Sequence, residues 1–365
     1  MIKLIYDYQI FGWQKYGGIS RYIYEIANQI FDLEDFDVKI LAMAYVNEYL
    51  KQSRSGFVIG LPVPKIPKTG NLIKHFSREI SKIWLGNNPP DIIHETYYQS
   101  QQLAPKSTKV VITVHDMLHE KFSQFFPNSS LPEEKAKAVQ RADHIICVSE
   151  NTKKDLMEIL NVEPSKVSVV YHGISFEPNK NESLSPKNTE PYIFYIGDRG
   201  GHKNFQCLLQ AYINSSQIKN NFKLLCFGGP PFSDEEINLF NTLGLSEDRI
   251  LRVSGNDSAL SGFYKGASVF VYPSLYEGFG IPLLEAMAFG CPVVCSNTSS
   301  IPEVAGSAAE LFDPYNWESL VQALEQVLFS DQRANTLVEL GTARIKQFSW
   351  HNSARQTSLI YSSLV

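Results

Sequence analysis

Short runs of consecutive apolar and β-branched residues alternate along this chain with longer stretches whose apolar positions recur every three or four residues. The runs predict buried strands, and the longer stretches amphipathic helices. Strands are expected at 3–7, 38–44, 91–94, 109–114, 144–148 and 167–170, then at 192–196, 223–227, 250–253, 269–272, 292–296 and 308–312. A predicted loop of ten residues leads from the first strand to a helix near Ser20, which serves as its cap. That helix places Tyr22, Ile23, Ile26, Ala27 and Ile30 on one buried face. Ser149 is expected to cap a helix through Leu160, and 316–346 and 350–364 read as helical. This alternation predicts an α/β chain of two parallel, doubly wound sheets. The polar, Pro/Asn/Ser-rich stretch 175–190 reads as a linker between them. The expected organisation is a first domain over 1–174, the linker, a second domain over 191–348 and a last helix over 349–365.

A length of 365 residues favours two such domains over one oversized core. Net charge of −5 and a pI near 5.9 argue against nucleic acid as a partner, since neutralising phosphates takes a broad basic surface. The charge is uneven. Residues 51–82 hold seven cations (Lys51, Arg54, Lys65, Lys68, Lys74, Arg78, Lys82) against Glu79, leaving the rest at −11. Such an excess suits an anionic membrane or a polyphosphate as well as it suits a solvated face. The five cysteines read as small apolar core residues rather than disulfides. The opening MIKLIYDYQ lacks the apolar stretch of a signal peptide, and no apolar run approaches the ~20 residues that span a bilayer. The expected location is cytoplasmic, at most peripheral at the inner face of the membrane.

Candidate chemistry gathers in VFVYPSLYEGFGIPLLEAMAFGCPVV, residues 269–294. A buried strand runs into a turn with Gly278 and Gly280, a helix opens at Pro282, and another strand follows Gly290. A glycine-rich loop feeding a helix N-terminus offers backbone N–H groups and the positive dipole end, a seat for phosphate. Glu277 and Glu285, eight residues apart, flank that seat as hydroxyl acceptors. Phosphate beside two hydroxyl-reading carboxylates points to a nucleotide sugar. A second glycine loop, 197–204, carries Arg199 and Lys203, a planar fork and a point charge suited to a diphosphate. Gly17 and Gly18 repeat the anion seat in the first half, and His115 follows a strand at its ligand-bearing end. Asp35 and Asp37 have metal-site spacing but lie at a strand start, and read as solvated loop acids.

At these residues the chain resembles the retaining GT-B glycosyltransferases often called family 4, or the "glycosyl transferases group 1" domain. GDRGGHKNF and SLYEGFGIPLLEAMAFGCPVV carry the resemblance, which extends to GGISRY, TVHD and VSENTKKDL. It implies two Rossmann-like doubly wound domains facing a cleft, with the last helix returning to the first domain. It implies a metal-independent hexosyltransferase with no cofactor beyond its nucleotide-sugar donor. Glu277 would contact the transferred sugar and Glu285 the ribose, while Arg199 and Lys203 neutralise the diphosphate. Gly278, Phe279, Gly280 and Ile281 would line sugar and phosphate. Gly17 and Gly18 would approach the phosphates, and His115 the reacting carbon. The glycine usual after the lysine is missing. Lys203-Asn204 and GGISRY look like bacterial mannosyl- and rhamnosyltransferases of surface polysaccharides, which suggests GDP-mannose as donor and a saccharide or lipid-linked saccharide as acceptor. A UDP-hexose donor, a GT-B sugar-nucleotide epimerase and a non-catalytic nucleotide-sugar binder are the alternatives. A dinucleotide dehydrogenase is not favoured, because no G-x-G-x-x-G sits tight against a strand.

Overall fold

The computed structural model describes residues 1–64, 70–174 and 190–365. Lys65, Lys68 and nearly all of the expected linker lie outside the described residues. The chain divides into two compact units, Met1–Gly173 with Phe348–Val365, and Ile174–Gln347.

Seven strands form the first sheet: β1 (Ile2–Tyr6), β2 (Phe36–Tyr45), β3 (Val58–Pro62), β4 (Ile92–Glu95), β5 (Lys109–Val114), β6 (His144–Cys147) and β7 (Val167–Val169). Their order is β3-β2-β1-β4-β5-β6-β7, and every pairing is parallel. Six form the second: β8 (Tyr192–Ile196), β9 (Lys223–Phe227), β10 (Ile250–Val253), β11 (Val269–Tyr272), β12 (Val293–Ser296) and β13 (Glu310–Phe312). The order is β10-β9-β8-β11-β12-β13, again all parallel. Parallel strands covered on both faces need continuous apolar runs, and the central strands supply them: Leu4 to Tyr6, Val110 to Ile112 and Val269 to Tyr272 are buried. Each sheet is doubly wound, and its strand order reverses once, between β1 and β4 and between β8 and β11. Ligands of open α/β sheets bind at the carboxyl ends of the strands beside such a reversal.

Two elements depart from the expected pattern. The stretch after β1 contains a short helix, Gln9–Trp13, that buries Gln9, Ile10 and Phe11. One turn and a half is too short to show a periodicity. The edge strand β3 carries Gly60 at φ +142 and ends at Pro62, residues that disguise a strand. All five cysteines are buried free thiols.

The last helix, Trp350–Ser362, is part of the first unit and packs against the helix Gly18–Phe31. A buried polar chain fastens it. The Tyr361 hydroxyl lies 3.0 Å from that of Tyr6 and 2.5 Å from His94 Nδ1. His94 Nε2 meets Thr113 Oγ1 at 3.0 Å, and Thr113 meets the Tyr22 hydroxyl at 3.3 Å. Gly173 allows the entry, because a Cβ there would come within 2.2 Å of the Trp350 backbone nitrogen.

Candidate functional site

In the second unit the loops after β8 and β11 stand on either side of the strand-order reversal. The 197–204 loop needs left-handed backbone at Gly197, Gly201 and Asn204. Asn204 (φ 54) is held there by its own side chain, whose Nδ2 donates to Pro273 O at 3.1 Å and Pro314 O at 2.8 Å. The Leu275 N–H donates to His202 O at 2.7 Å. These bonds clamp the two loops together, and between them Lys203 Nζ meets Glu277 Oε1 at 2.6 Å. Both side chains are mostly buried, at 22% and 14% exposure, and the ammonium lies 5.4 Å from the Tyr272 ring centre. Burial, and then the charge of Glu277, hold the Tyr272 hydroxyl well above its usual range, so it stays protonated.

A third turn fixes the glutamate loop. The Glu277 N–H donates to Ser299 Oγ at 3.0 Å, and Ser300 Oγ donates to Glu277 O at 2.8 Å and Phe279 O at 2.9 Å. Ser299 adopts φ 53, a strained conformation for a serine that these contacts offset. Gly280, at φ +117, then turns the chain into the helix Ile281–Ala288, one residue ahead of the expected start. Glu285 lies one turn in and accepts from the Tyr264 hydroxyl at 3.1 Å. Gly278, Phe279, Gly280 and Ile281 thus form the mouth of this helix, with Glu277 before it and Glu285 within it.

Arg199 is engaged elsewhere. Its Nε and Nη2 donate to Glu236 at 2.6 and 3.0 Å, Nη2 also reaches Pro230 O and Pro231 O, and the guanidinium covers the Phe232 ring at 4.6 Å. Glu236 also closes a capping box with Ser233. The Arg199 fork is therefore spent on this carboxylate, while its buried Nη1 has no partner among the described residues. The structure joins Lys203 to Glu277, not Arg199.

In the first unit, the helix Gly18–Phe31 starts two residues before Ser20. Ser20 is not its cap. Its N–H instead donates to Gln14 Oε1 at 3.2 Å, and its hydroxyl donates to Gly17 O at 3.1 Å. The Gln14 amide oxygen occupies the helix mouth so closely that a Cβ on Gly17 would lie 2.4 Å from it, whereas one on Gly18 would meet nothing within 4 Å. His115 follows β5, and its N–H donates to the Tyr98 hydroxyl at 3.2 Å. Its ring stands edge-on to Tyr22 at 5.3 Å and stacks on His172 at 6.1 Å. His115 Nε2 is buried without a partner among the described residues. Beneath it the buried Lys135 donates to Asp116 O at 2.8 Å and Glu120 Oε2 at 2.9 Å, bracing the loop. Burial lowers His115 to about 4, and Asp116 offsets part of that shift. Among the described residues, no group of three His, Cys, Asp or Glu side chains could hold a metal ion.

The second parallel sheet thus carries paired glycine loops at its strand-order reversal, one bearing a lysine and the other a glutamate at a helix mouth, in a two-domain α/β protein. Comparison with known proteins gives the class a name. The family described as "Glycosyl transferases group 1" matches residues 176–344, and "Glycosyltransferase Family 4" matches 16–177. An O-antigen chain mannosyltransferase B of Escherichia coli is 31% identical over 274 residues, 70% of this chain and 71% of that protein. The serotype-specific mannosyltransferase WbdA of Escherichia coli is 26% identical over 305 residues, 74% of this chain but 37% of that much longer protein. The sucrose-phosphate synthase of Thermosynechococcus elongatus superposes with a TM-score of 0.77 at 20% identity, covering 100% of this chain and 99% of that one. The chain belongs to the family 4 glycosyltransferases and has their GT-B fold.

Burial makes a prediction about protonation. His94, lowered to about 3, His115, lowered to about 4, and His172, lowered well below its ordinary value, stay neutral in the folded chain. The unfolded chain protonates each near pH 6.5. Between pH 6.5 and 4 it therefore binds more protons, and stability falls as pH drops, by about 1.4 kcal/mol per pH unit for each histidine; above pH 6.5 the effect vanishes. Nitrogen NMR of the three rings is expected to show neutral imidazole down to pH 5. A ring that titrates near 6.5 would contradict the assignment.

Proposed function

We propose that this glycosyltransferase moves a hexose, mannose from GDP-mannose as first choice, onto a saccharide or lipid-linked saccharide in surface-polysaccharide synthesis, with retention of anomeric configuration. The observation that carries the reading is the Lys203–Glu277 pair at the mouth of the helix Ile281–Ala288. In the donor complex Lys203 turns to the diphosphate, and Glu277, released from it, accepts hydrogen bonds from the sugar. Glu285 reads the ribose. The amides of the 277–281 loop receive the phosphate, and Arg199 supplies its one uncommitted nitrogen. Gly17 and Gly18 approach the phosphates once Gln14 withdraws. The two relatives, a mannosyltransferase of O-antigen chains and a serotype-specific mannosyltransferase, support mannose and O-antigen chains. A UDP-hexose is the second choice.

The reaction breaks the bond between the sugar's anomeric carbon and the β-phosphate oxygen while the acceptor oxygen bonds to the same face of that carbon. The acceptor's proton passes to the departing phosphate oxygen. Negative charge grows on the diphosphate, where fixed ammonium and N–H dipoles stabilise it without reorganising. His115, neutral and with Nε2 unpartnered among the described residues, serves the sugar as a hydrogen-bonding partner near the reacting carbon. No resident cofactor or metal ion is needed in this scheme.

The test is a panel of GDP- and UDP-sugars with saccharide acceptors, read by nucleoside diphosphate release and by product mass and anomeric NMR. Transfer with retention, undiminished by EDTA, is expected. Release of free sugar alone from every donor would favour a hydrolase or epimerase, no turnover a binding protein, and loss with EDTA a metal-dependent mechanism.

Membrane contact is a separate part of the proposal. The helix Gly70–Asn87 exposes Phe76 and Ile83 beside Lys74 and Lys82, and β3 exposes Leu61. Three other cations of 51–82 are partly neutralised, Lys51 by Glu48, Arg54 by Asp32 and Arg78 by Glu79. Apolar side chains flanked by lysines suit a peripheral contact with the inner face of an anionic membrane. No helix among the described residues is long and apolar enough to cross one. Phosphatidylglycerol vesicles are expected to sediment the protein at low salt and release it at high salt, and the pair Phe76→Ser, Ile83→Ser to abolish sedimentation. Sedimentation that fails in wild type, or survives in the pair, would refute the contact.

A further inference from the structure

The reversal of strand order in the first sheet, between β1 and β4, is also occupied by a cavity. Its volume is about 340 Å³, within the range of roughly 300–1,000 Å³ seen for small-ligand sites. The segment after β1 contributes Tyr8 and Trp13, the segment after β4 contributes Tyr97 and Tyr98, and helices add Ser77 and Glu134. A buried carboxylate behind the lining residues braces them. Asp7 accepts from Gln9 Nε2 at 2.7 Å, Thr96 N at 2.9 Å and Thr96 Oγ1 at 2.6 Å, so the two segments are tied together. Gln9 Nε2 also donates to Tyr97 O at 2.9 Å.

The walls combine two kinds of surface. Tyr97 and Tyr98 lie 4.9 Å apart, and Trp13 meets Tyr97 edge to face at 5.4 Å. Against these rings stand two hydroxyls, of Tyr8 and Ser77. Each residue is 1% exposed, and neither hydroxyl has a hydrogen-bond partner among the described residues. Buried polar atoms are nearly always satisfied, so two orphans lining one cavity mark where a ligand's polar groups belong. Burial, with Asp7 nearby, keeps the Tyr8 phenol protonated and able to donate.

We propose that this cavity binds one hexopyranose ring of the acceptor, an inference that rests on the glycosyltransferase reading for its place in the reaction. A pyranose presents an apolar C–H face for the aromatic rings, and hydroxyls that both donate and accept for Tyr8, Ser77 and the Glu134 carboxylate. A lipid chain would leave both buried hydroxyls unpaired, at a cost of about 1–3 kcal/mol each. Lys74 and Glu134 both line the cavity, so its charges offset and a neutral, hydroxylated ring fits it better than an anion, which would meet the Glu134 carboxylate beside the ammonium. The cavity also adjoins the candidate catalytic residue, because Tyr98, one of its walls, accepts the His115 N–H. A sugar seated here is one side chain from His115.

The test measures saccharide binding with no nucleotide sugar present, so it does not depend on turnover. Methyl α-glycosides of mannose, glucose, galactose, N-acetylglucosamine and rhamnose are titrated into the full chain by saturation-transfer NMR. At least one is expected to bind, and Tyr8→Phe and Ser77→Ala each to weaken it about tenfold, the scale of one lost hydrogen bond. Neither substitution removes a bond present in the free protein, so neither is expected to lower the melting temperature. Trp13→Ala is expected to abolish binding. In the transfer assay, where a donor is accepted, the Tyr8 and Ser77 variants should raise the acceptor KM and spare the donor KM. No glycoside binding to wild type, or binding that all three variants leave unchanged, would overturn the subsite. A chain that binds a glycoside here but turns over no donor would keep the subsite and lose the enzyme reading.

Discussion

A lysine and a glutamate that neutralise each other at 2.6 Å, at the mouth of a helix, organise the second unit. A pair this far from solvent persists only if its surroundings fix both partners, because desolvating two charges offsets much of their attraction. Three loops do so here. Asn204 ties the lysine loop to Pro273 and Pro314, His202 O holds Leu275, and Ser299 and Ser300 pin the backbone around Glu277. The same rigidity that tolerates the pair leaves a cation and a carboxylate aimed before any ligand arrives. In the proposed donor complex, exchange of the carboxylate for a diphosphate would keep the lysine paired throughout.

The first unit solves a different problem. Its sheet end is lined with buried polar groups that have to be satisfied or kept neutral. One set is satisfied internally, from Tyr6 through Tyr361, His94 and Thr113 to Tyr22, and it anchors the last helix. Asp7 is likewise saturated by Gln9 and Thr96. Part of what is left over is informative. Among the described residues His115 Nε2 and the hydroxyls of Tyr8 and Ser77 are three of the buried polar atoms that lack partners, and these three residues stand close to the carboxyl ends of β1, β4 and β5 or pack over them.

The sequence made the parallel sheets legible because strands buried on both faces must be apolar throughout. It also placed Lys203 and Glu277 in glycine loops and Glu285 in the helix that follows, since glycines mark turns. It did not reveal contacts that depend on long-range packing. Glu236 claims Arg199 from 37 residues away, and nothing in the loop itself announces that fork as occupied. Gln14 supplants Ser20 at the helix Gly18–Phe31 because a long side chain can fold back where Gly17 has no Cβ. Asn204 looked like a missing glycine; its side chain shows why a non-glycine stands at a left-handed position. His172 and Tyr98 flank His115 only once the strands pair, and strand pairing carries no local signature.

In the proposed mechanism Lys203 belongs to the donor's diphosphate and is held by Glu277 until the donor arrives. Calorimetric titration of GDP and UDP into wild type, Lys203→Ala and Glu277→Gln tests it most directly. Lys203→Ala is expected to weaken the preferred nucleotide at least tenfold, about 1.4 kcal/mol. Glu277→Gln should bind it as tightly as wild type or more tightly, because the competing carboxylate is gone. Undiminished binding by Lys203→Ala, or a loss in Glu277→Gln as large as that from removing the lysine, would contradict the exchange.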